Sequence, residues 1–100
     1  MVIVNHHSPD ESKPYEEKEA HWDLLNKTIS GTPKSALRVI MGDANLRWQG
    51  RYSDEKDILG PYVFGRGISY LESSTHSHDN RDFEINCCDH RRWFFSIVIL

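Results

Sequence analysis

The sequence predicts an α/β fold built on a β-α-β unit, and three observations point to it. Val2-Ile3-Val4-Asn5 is an apolar, β-branched run of the kind that forms a buried strand. A second apolar run, Leu37 to Met41, climbs into Gly42-Asp43-Ala44-Asn45. The segment between them reads as one amphipathic helix, and strands joined by a crossover helix are parallel. Parallel strands finish at the same sheet edge, so polar residues far apart in sequence can meet one ligand there.

In chain order, His6 to Lys13 is a connection with Pro9 and Pro14 as breakers. Ser12 is the expected N-cap, and Glu16, Glu17 and Glu19 lie early in the helix, where its dipole favours anions. Tyr15, Trp22, Leu25 and Ile29 share one face, with Trp22 read as a core anchor in preference to a binding aromatic. Gly31 and Pro33 stop the helix. Trp48 to Asp57 reads as a polar, loosely held loop, with Arg47 and Arg51 available to phosphate. Gly60-Pro61 and Gly65-Arg66-Gly67 mark turns, and Gly65-x-Gly67 alone is no nucleotide motif. Ser69 to Asn80 is a polar loop, and a second helix is expected from Asn80 to Asn86, capped by Asp79 or Asn80, with Phe83 inward. After Asn86 the character changes: Cys87-Cys88-Asp89-His90-Arg91-Arg92 leads into an apolar tail from Trp93 to Leu100. A frameshift, retained intron or gene-model end would produce such a junction, and the tail is an aggregation hazard.

One hundred residues allow one small domain. A chain that enters a strand at Val2 reads as a piece of something larger. The hydrophobic share of 38% and mean hydropathy of -0.61 are those of a soluble type. A net charge of -3 and a pI near 6.0 give no global basic field to gather nucleic acid. Two adjacent cysteines make no disulfide framework, which implies a reducing, intracellular setting without a disulfide partner. No signal peptide is visible, and the tail is too short to span a bilayer, so no membrane partner is expected.

Gly42-Asp43-Ala44-Asn45 carries the chemistry. Asp43 can accept a proton or orient a water, Asn45 can donate to a phosphate oxygen or fix the carboxylate, and Gly42 allows the backbone to turn. The same residues are also ordinary turn formers. His7, in His7-Ser8-Pro9 at the end of the first strand, is the third candidate, with His6 as its rival. A zinc site from His76, His78, Cys87, Cys88 and His90 is disfavoured, because adjacent cysteines are poor joint ligands for one tetrahedral ion.

This order of elements resembles the central part of the endonuclease/exonuclease/phosphatase superfamily, which includes pancreatic DNase, abasic-site endonucleases and retrotransposon endonucleases. Retrotransposon-type and craniofacial-development-protein-like members are the most similar in pattern. A strand ending in Tyr/His-x-Pro, a helix, a Gly-Asp-x-Asn strand, a Leu-Gly-Pro/Tyr loop and an Asn-Arg helix start map onto residues 2 to 86. The resemblance implies part of a four-layer DNase-like α/β sandwich, its central β-α-β portion only, over residues 1–86. Residues 87–100 form a tail outside the family pattern.

It also implies a hydrolase or nuclease that cleaves phosphate esters, including nucleic acid phosphodiesters, with Mg²⁺. Catalytic roles fall to Asp43 as the water-orienting carboxylate, Asn45 on the phosphate side and His7 on the scissile phosphate. The family holds its metal with Asn and Glu from a preceding segment and closes its site with Ser-Asp-His. Here Asp89-His90 follows Cys88 and comes tens of residues too early, so it reads as coincidence. The expectation is therefore a truncated, retrotransposon-derived domain that is inactive alone and contains no metal ligands. The alternative is a small non-catalytic α/β interaction domain whose Gly-Asp-x-Asn is only a turn.

Overall fold

The structure, a computed structural model, describes residues 1–60, 63, 65–75 and 77–93. It is a small mixed α/β domain. Strand β1 (Val2–His7) leads to helix α1 (Tyr15–Ser30), strand β2 (Arg38–Asp43), a 3-10 turn (Ser53–Glu55), helix α2 (Ile68–Ser73) and helix α3 (Asp79–Arg91). β1 and β2 pair in parallel, with Val2 opposite Arg38 and His7 opposite Asp43. Bonds from Val2 N to the Leu37 carbonyl (2.8 Å) and from Ser8 N to the Asp43 carbonyl (2.9 Å) extend the ladder at both ends. Both strands run two residues further than their apolar runs, because the ladder continues through polar side chains once β1 and β2 are aligned. The β-α-β unit read from the sequence is present, whereas the tail from Phe94 to Leu100 and the turn residues Pro61 and Tyr62 lie outside the described residues.

Alternation along β1 puts Val4 and His6 toward α1, and Ile3, Asn5 and His7 on the other face. In α1, Trp22, Leu25 and Ile29 are buried as their spacing predicts, but Tyr15 stays half exposed and tilts onto Phe83 at 5.5 Å. Ser12 is not the helix cap. Pro14 holds the N-cap position without a side-chain cap, while Ser12 instead donates its amide and hydroxyl to Asp10. Proline suits this helix start because its ring presets φ and the helix needs no N–H from it.

α3 begins one residue before its expected start and continues unbroken past Asn86 to Arg91, so the change in sequence character at 86/87 falls inside a helix. That helix separates two apolar clusters. One holds Trp22, Leu25, Ile29 and Cys87 against Val4, Ile40 and Phe83, and the other holds Trp48, Ile58, Leu59 and Cys88 against Leu46, Val63 and Ile85. Trp93 touches both. The adjacent cysteines are free thiols that point into different clusters. Burial pushes their pKa values up to about 11 for Cys87 and about 12 for Cys88, the signature of packing groups and not of nucleophiles. No described helix is long and apolar enough to cross a membrane.

The expectation of a loose Arg47–Asp57 segment is corrected by the second cluster. Trp48, Gln49, Glu55 and Ile58 are buried, and Arg81 is the reason a polar segment can be. Its guanidinium makes a two-pronged pair with Glu55 (2.9 and 2.7 Å) and donates to the Trp48 and Gly50 carbonyls, both at 2.9 Å. Trp48 and Tyr52 flank it, each ring centroid 5.6 Å away. Hydrogen bonding to Arg81 and to the Tyr52 amide outweighs burial and holds the Glu55 carboxyl below the usual range. Arg51 donates to the Leu59 carbonyl at 3.1 Å and is not an uncommitted phosphate ligand.

Candidate functional site

Gly42 sets the geometry of the sheet edge. Its φ is +128°, and a Cβ there would lie 1.9 Å from the His6 carbonyl oxygen, so only glycine lets β2 approach β1 at this point. The next residue, Asp43, is exposed at the C-terminal edge directly opposite His7, which is also exposed. The parallel register thus brings His7 and Asp43 to one edge and one face. His6 faces the other way: its Nδ1 lies 3.0 Å from His21 Nε2, and its ring meets Trp22 edge-on at 5.5 Å. Burial, and then the neighbouring imidazole, depresses the His6 pKa, which marks it as a packed histidine.

After Asp43 the chain turns over Asn45, whose φ of +49° is left-handed. One Asp43 oxygen accepts the Asn45 amide at 2.8 Å, and the Asn45 carboxamide donates to the Ser8 carbonyl. Asn45 therefore clamps the end of β1 to the turn after β2. Its side-chain N–H₂ already has a partner, and the turn reading of Asp-x-Asn is realised for this residue.

Asp43 and Asn45 line an open polar cleft of about 500 Å³, together with Glu11, Leu46, Arg47, Gln49, Tyr70 and His78. His7 shares the edge but is not among the lining residues. Gly65 closes the chain behind Gln49; its φ is +148°, and a Cβ there would lie 2.2 Å from Gln49 Cα. The Gln49 side chain accepts the Arg66 amide at 2.8 Å, and the Gln49 carbonyl accepts the Gly67 amide at 2.5 Å. Arg47 is exposed at the cleft, where its charge can meet a phosphate.

Two of the residues lining this cleft were not singled out by the sequence as part of this site. Glu11 Oε2 and His78 Nε2 are both buried without a hydrogen-bond partner. Glu11 Oε1 accepts the Asn80 amide at 3.0 Å, so only its second oxygen is orphaned. Burial raises the Glu11 pKa against the Asn80 amide, the Lys18 charge and the Ser77 hydroxyl. An unpaired buried polar atom costs about 1–3 kcal/mol, more if charged. Neither residue carried a motif: Glu11 sits in a loop and His78 among other loop histidines, and the fold makes both of them lining residues of one cleft.

Beside the cleft, Lys18 is almost fully buried, paired with Asp79 at 2.6 Å and donating to Ser77 and the Glu11 carbonyl. Asn80 is fully buried. Its oxygen accepts from Ser8 (3.0 Å) and Trp22 (2.8 Å), and its nitrogen donates to the Pro9 (2.7 Å) and Asn45 (3.2 Å) carbonyls. The Asn-Arg pair at the start of α3 is thus a structural hub.

The remaining sequence candidates disperse. Asp89 and His90 are exposed near the C-terminal end of α3, the opposite end from the cleft residue His78, and His76 lies outside the described residues. Among the described residues, no three His, Cys, Asp or Glu side chains converge so as to hold a metal ion. Compared with known proteins, the chain matches no family model, no curated protein and no solved structure.

Proposed function

We propose that this chain is the central portion of a phosphate-ester hydrolase domain of the endonuclease/exonuclease/phosphatase type, part of a four-layer DNase-like sandwich. The observation that carries the reading is the placement of Asp43. It is an exposed carboxylate at the C-terminal edge of parallel strands, in register with His7 and lining a polar cleft with Arg47. In open α/β sheets, that edge is where ligands bind. Asp43 takes the proton of the attacking water, the water oxygen bonds to phosphorus, and the P–O ester bond breaks, its oxygen leaving as the alcohol after taking a proton from solvent. The Asn45 amide keeps the carboxylate in place, Arg47 offers charge to the phosphate, and His7 stands at the same sheet edge on the neighbouring strand, outside the cleft lining. A nucleic acid phosphodiester is the proposed substrate, and two buried free thiols suit a reducing, intracellular setting.

Mg²⁺, which this family uses, does not fit the described residues. The cleft offers two carboxylates on separate elements, and the Asn45 N–H₂ is committed to Ser8. Mg²⁺ demands near-octahedral oxygen ligation. Each 1.4 kcal/mol of lost transition-state stabilisation is about tenfold in rate, so a chain without a placed ion is expected to be slow by orders of magnitude.

Nicking of plasmid and abasic DNA in Mg²⁺ tests this. The chain alone should match a buffer control, while the chain extended by its flanking genomic reading frame should nick, and Asp43→Asn should abolish that activity. Robust nicking by the chain alone, lost in Asp43→Asn, would refute the claim that it is inactive by itself. An extended chain that stays silent would favour the second reading, a non-catalytic interaction domain. One observation supports that reading: Ile3, Val39 and Met41 form an exposed apolar row on the sheet face away from α1.

A further inference from the structure

We propose that His6 and His21 form an acid-sensitive latch between the end of β1 and helix α1, closed while at most one of the two rings is charged and open when both are. His6 Nδ1 lies 3.0 Å from His21 Nε2, and the rings are nearly stacked, with 5.3 Å between centroids and 26° between planes. A neutral imidazole has one donor nitrogen and one acceptor, whereas an imidazolium donates from both. One proton between the facing nitrogens therefore makes an N–H···N bond, and a single charged ring still finds an acceptor in its neutral partner. With both rings charged, two N–H groups point at one another across 3.0 Å and the like charges repel. The contact then has to open.

The neighbouring groups set the pH of opening and what feels it. Both rings are half-buried, and the fully buried Trp22 meets each of them edge-on, at 5.5 Å for His6 and 5.7 Å for His21. The His6 backbone is fixed in the sheet opposite Gly42, so the rings and α1 are what give way. Burial and then His21 hold the His6 ring below the ordinary 6.5, with Asp43 on β2 opposing and His7 on β1 adding to the depression. Burial and His7 likewise lower His21. The second charge thus arrives only as the pH falls below the ordinary histidine range. Trp22 carries the change inward. Its indole N–H donates to Asn80 Oδ1 at 2.8 Å, and the Asn80 nitrogen donates to the Pro9 and Asn45 carbonyls beside the candidate site. The latch holds for either reading of the function, because it needs no substrate.

An NMR titration of the whole chain from about pH 8 to about pH 5, following the histidine rings and the Trp22 indole N–H, tests the latch. The His6 and His21 rings should reach the doubly charged state below the ordinary histidine range, and the Trp22 signal should move in that same step. His21→Gln keeps a hydrogen-bonding partner for His6 Nδ1 but cannot take a charge. In that variant the His6 titration should rise toward the ordinary value, and Trp22 should lose its step. His6→Gln should abolish the Trp22 step in the same way, and it decides the matter if His21→Gln loses its fold by circular dichroism. A His6 titration that is unmoved in His21→Gln would show that the two rings do not sense one another, which overturns the latch. A Trp22 signal that stays still while both rings titrate, or a Trp22 step that survives in the folded variants, would overturn it equally.

Discussion

The start of α3 presents two sets of polar groups that meet burial in opposite ways. Asn80 and Arg81 are almost wholly inside the protein, yet Asn80 fills both its oxygen and its nitrogen with two partners each, and every side-chain nitrogen of Arg81 donates. Glu11 and His78 lie against the same helix end, one bonded to the Asn80 amide and the other at the N-cap, and each leaves an atom unpaired. A saturated network holds β1, α1, the turn after β2 and the 3-10 turn together. The other set leaves Glu11 Oε2 and His78 Nε2 buried without partners, a local cost to the fold.

Substitution on the saturated side should have the largest effect. Arg81→Ala removes the partner of buried Glu55 and four donated bonds, so denaturant unfolding should show a loss of about 3–5 kcal/mol. A loss below about 1 kcal/mol would show that the network is not what holds the Trp48–Leu59 segment.

Glu84 sharpens the contrast from inside α3. It is buried, and burial raises its pKa from the ordinary 4.5 to about 7. The carboxyl is therefore protonated in the folded chain at pH values where the unfolded chain has ionised. Stability from this group is complete below about pH 4.5 and falls as the pH rises toward 7. Glu84→Gln should remove that slope and stabilise the chain by on the order of 3 kcal/mol above pH 7, with little effect at pH 4. Equal melting shifts at both pH values would contradict a neutral buried carboxyl.

The smallest expected change is on the unsaturated side. His78→Phe keeps the ring and discards an orphaned nitrogen, so stability should stay unchanged or rise by about 1 kcal/mol. A loss comparable to that of Arg81→Ala would mean that the His78 ring is itself part of the structural network.

The same distinction explains what was legible in the sequence. Apolar periodicity announced β1, α1 and β2, because Val2 to Val4, Trp22-Leu25-Ile29 and Leu37 to Met41 each have to bury a face. The crossover argument then aligned His7 with Asp43, a pairing the register contains. Trp48 to Asp57 was misread as loose, since its burial depends on one arginine some thirty residues later, and no local pattern encodes that pairing. Asn45 was read as phosphate-facing, but its left-handed backbone and its bond to Ser8 give it a turn role that Asp-x-Asn allows equally well. Glu11 and His78 were invisible because unsatisfied hydrogen bonding is a property of the fold.

Chemical-shift mapping of the chain with a short phosphodiester, such as a dinucleotide, tests the central claim most directly. The account predicts shifts concentrated on Gly42 to Arg47, Glu11 and His78, with the Asn80 carboxamide and the groove lined by Asn26, Asn86 and Arg91 unmoved. Shifts centred instead on Ile3, Val39 and Met41, or on that α1–α3 groove, would contradict it and place the functional surface elsewhere on the molecule.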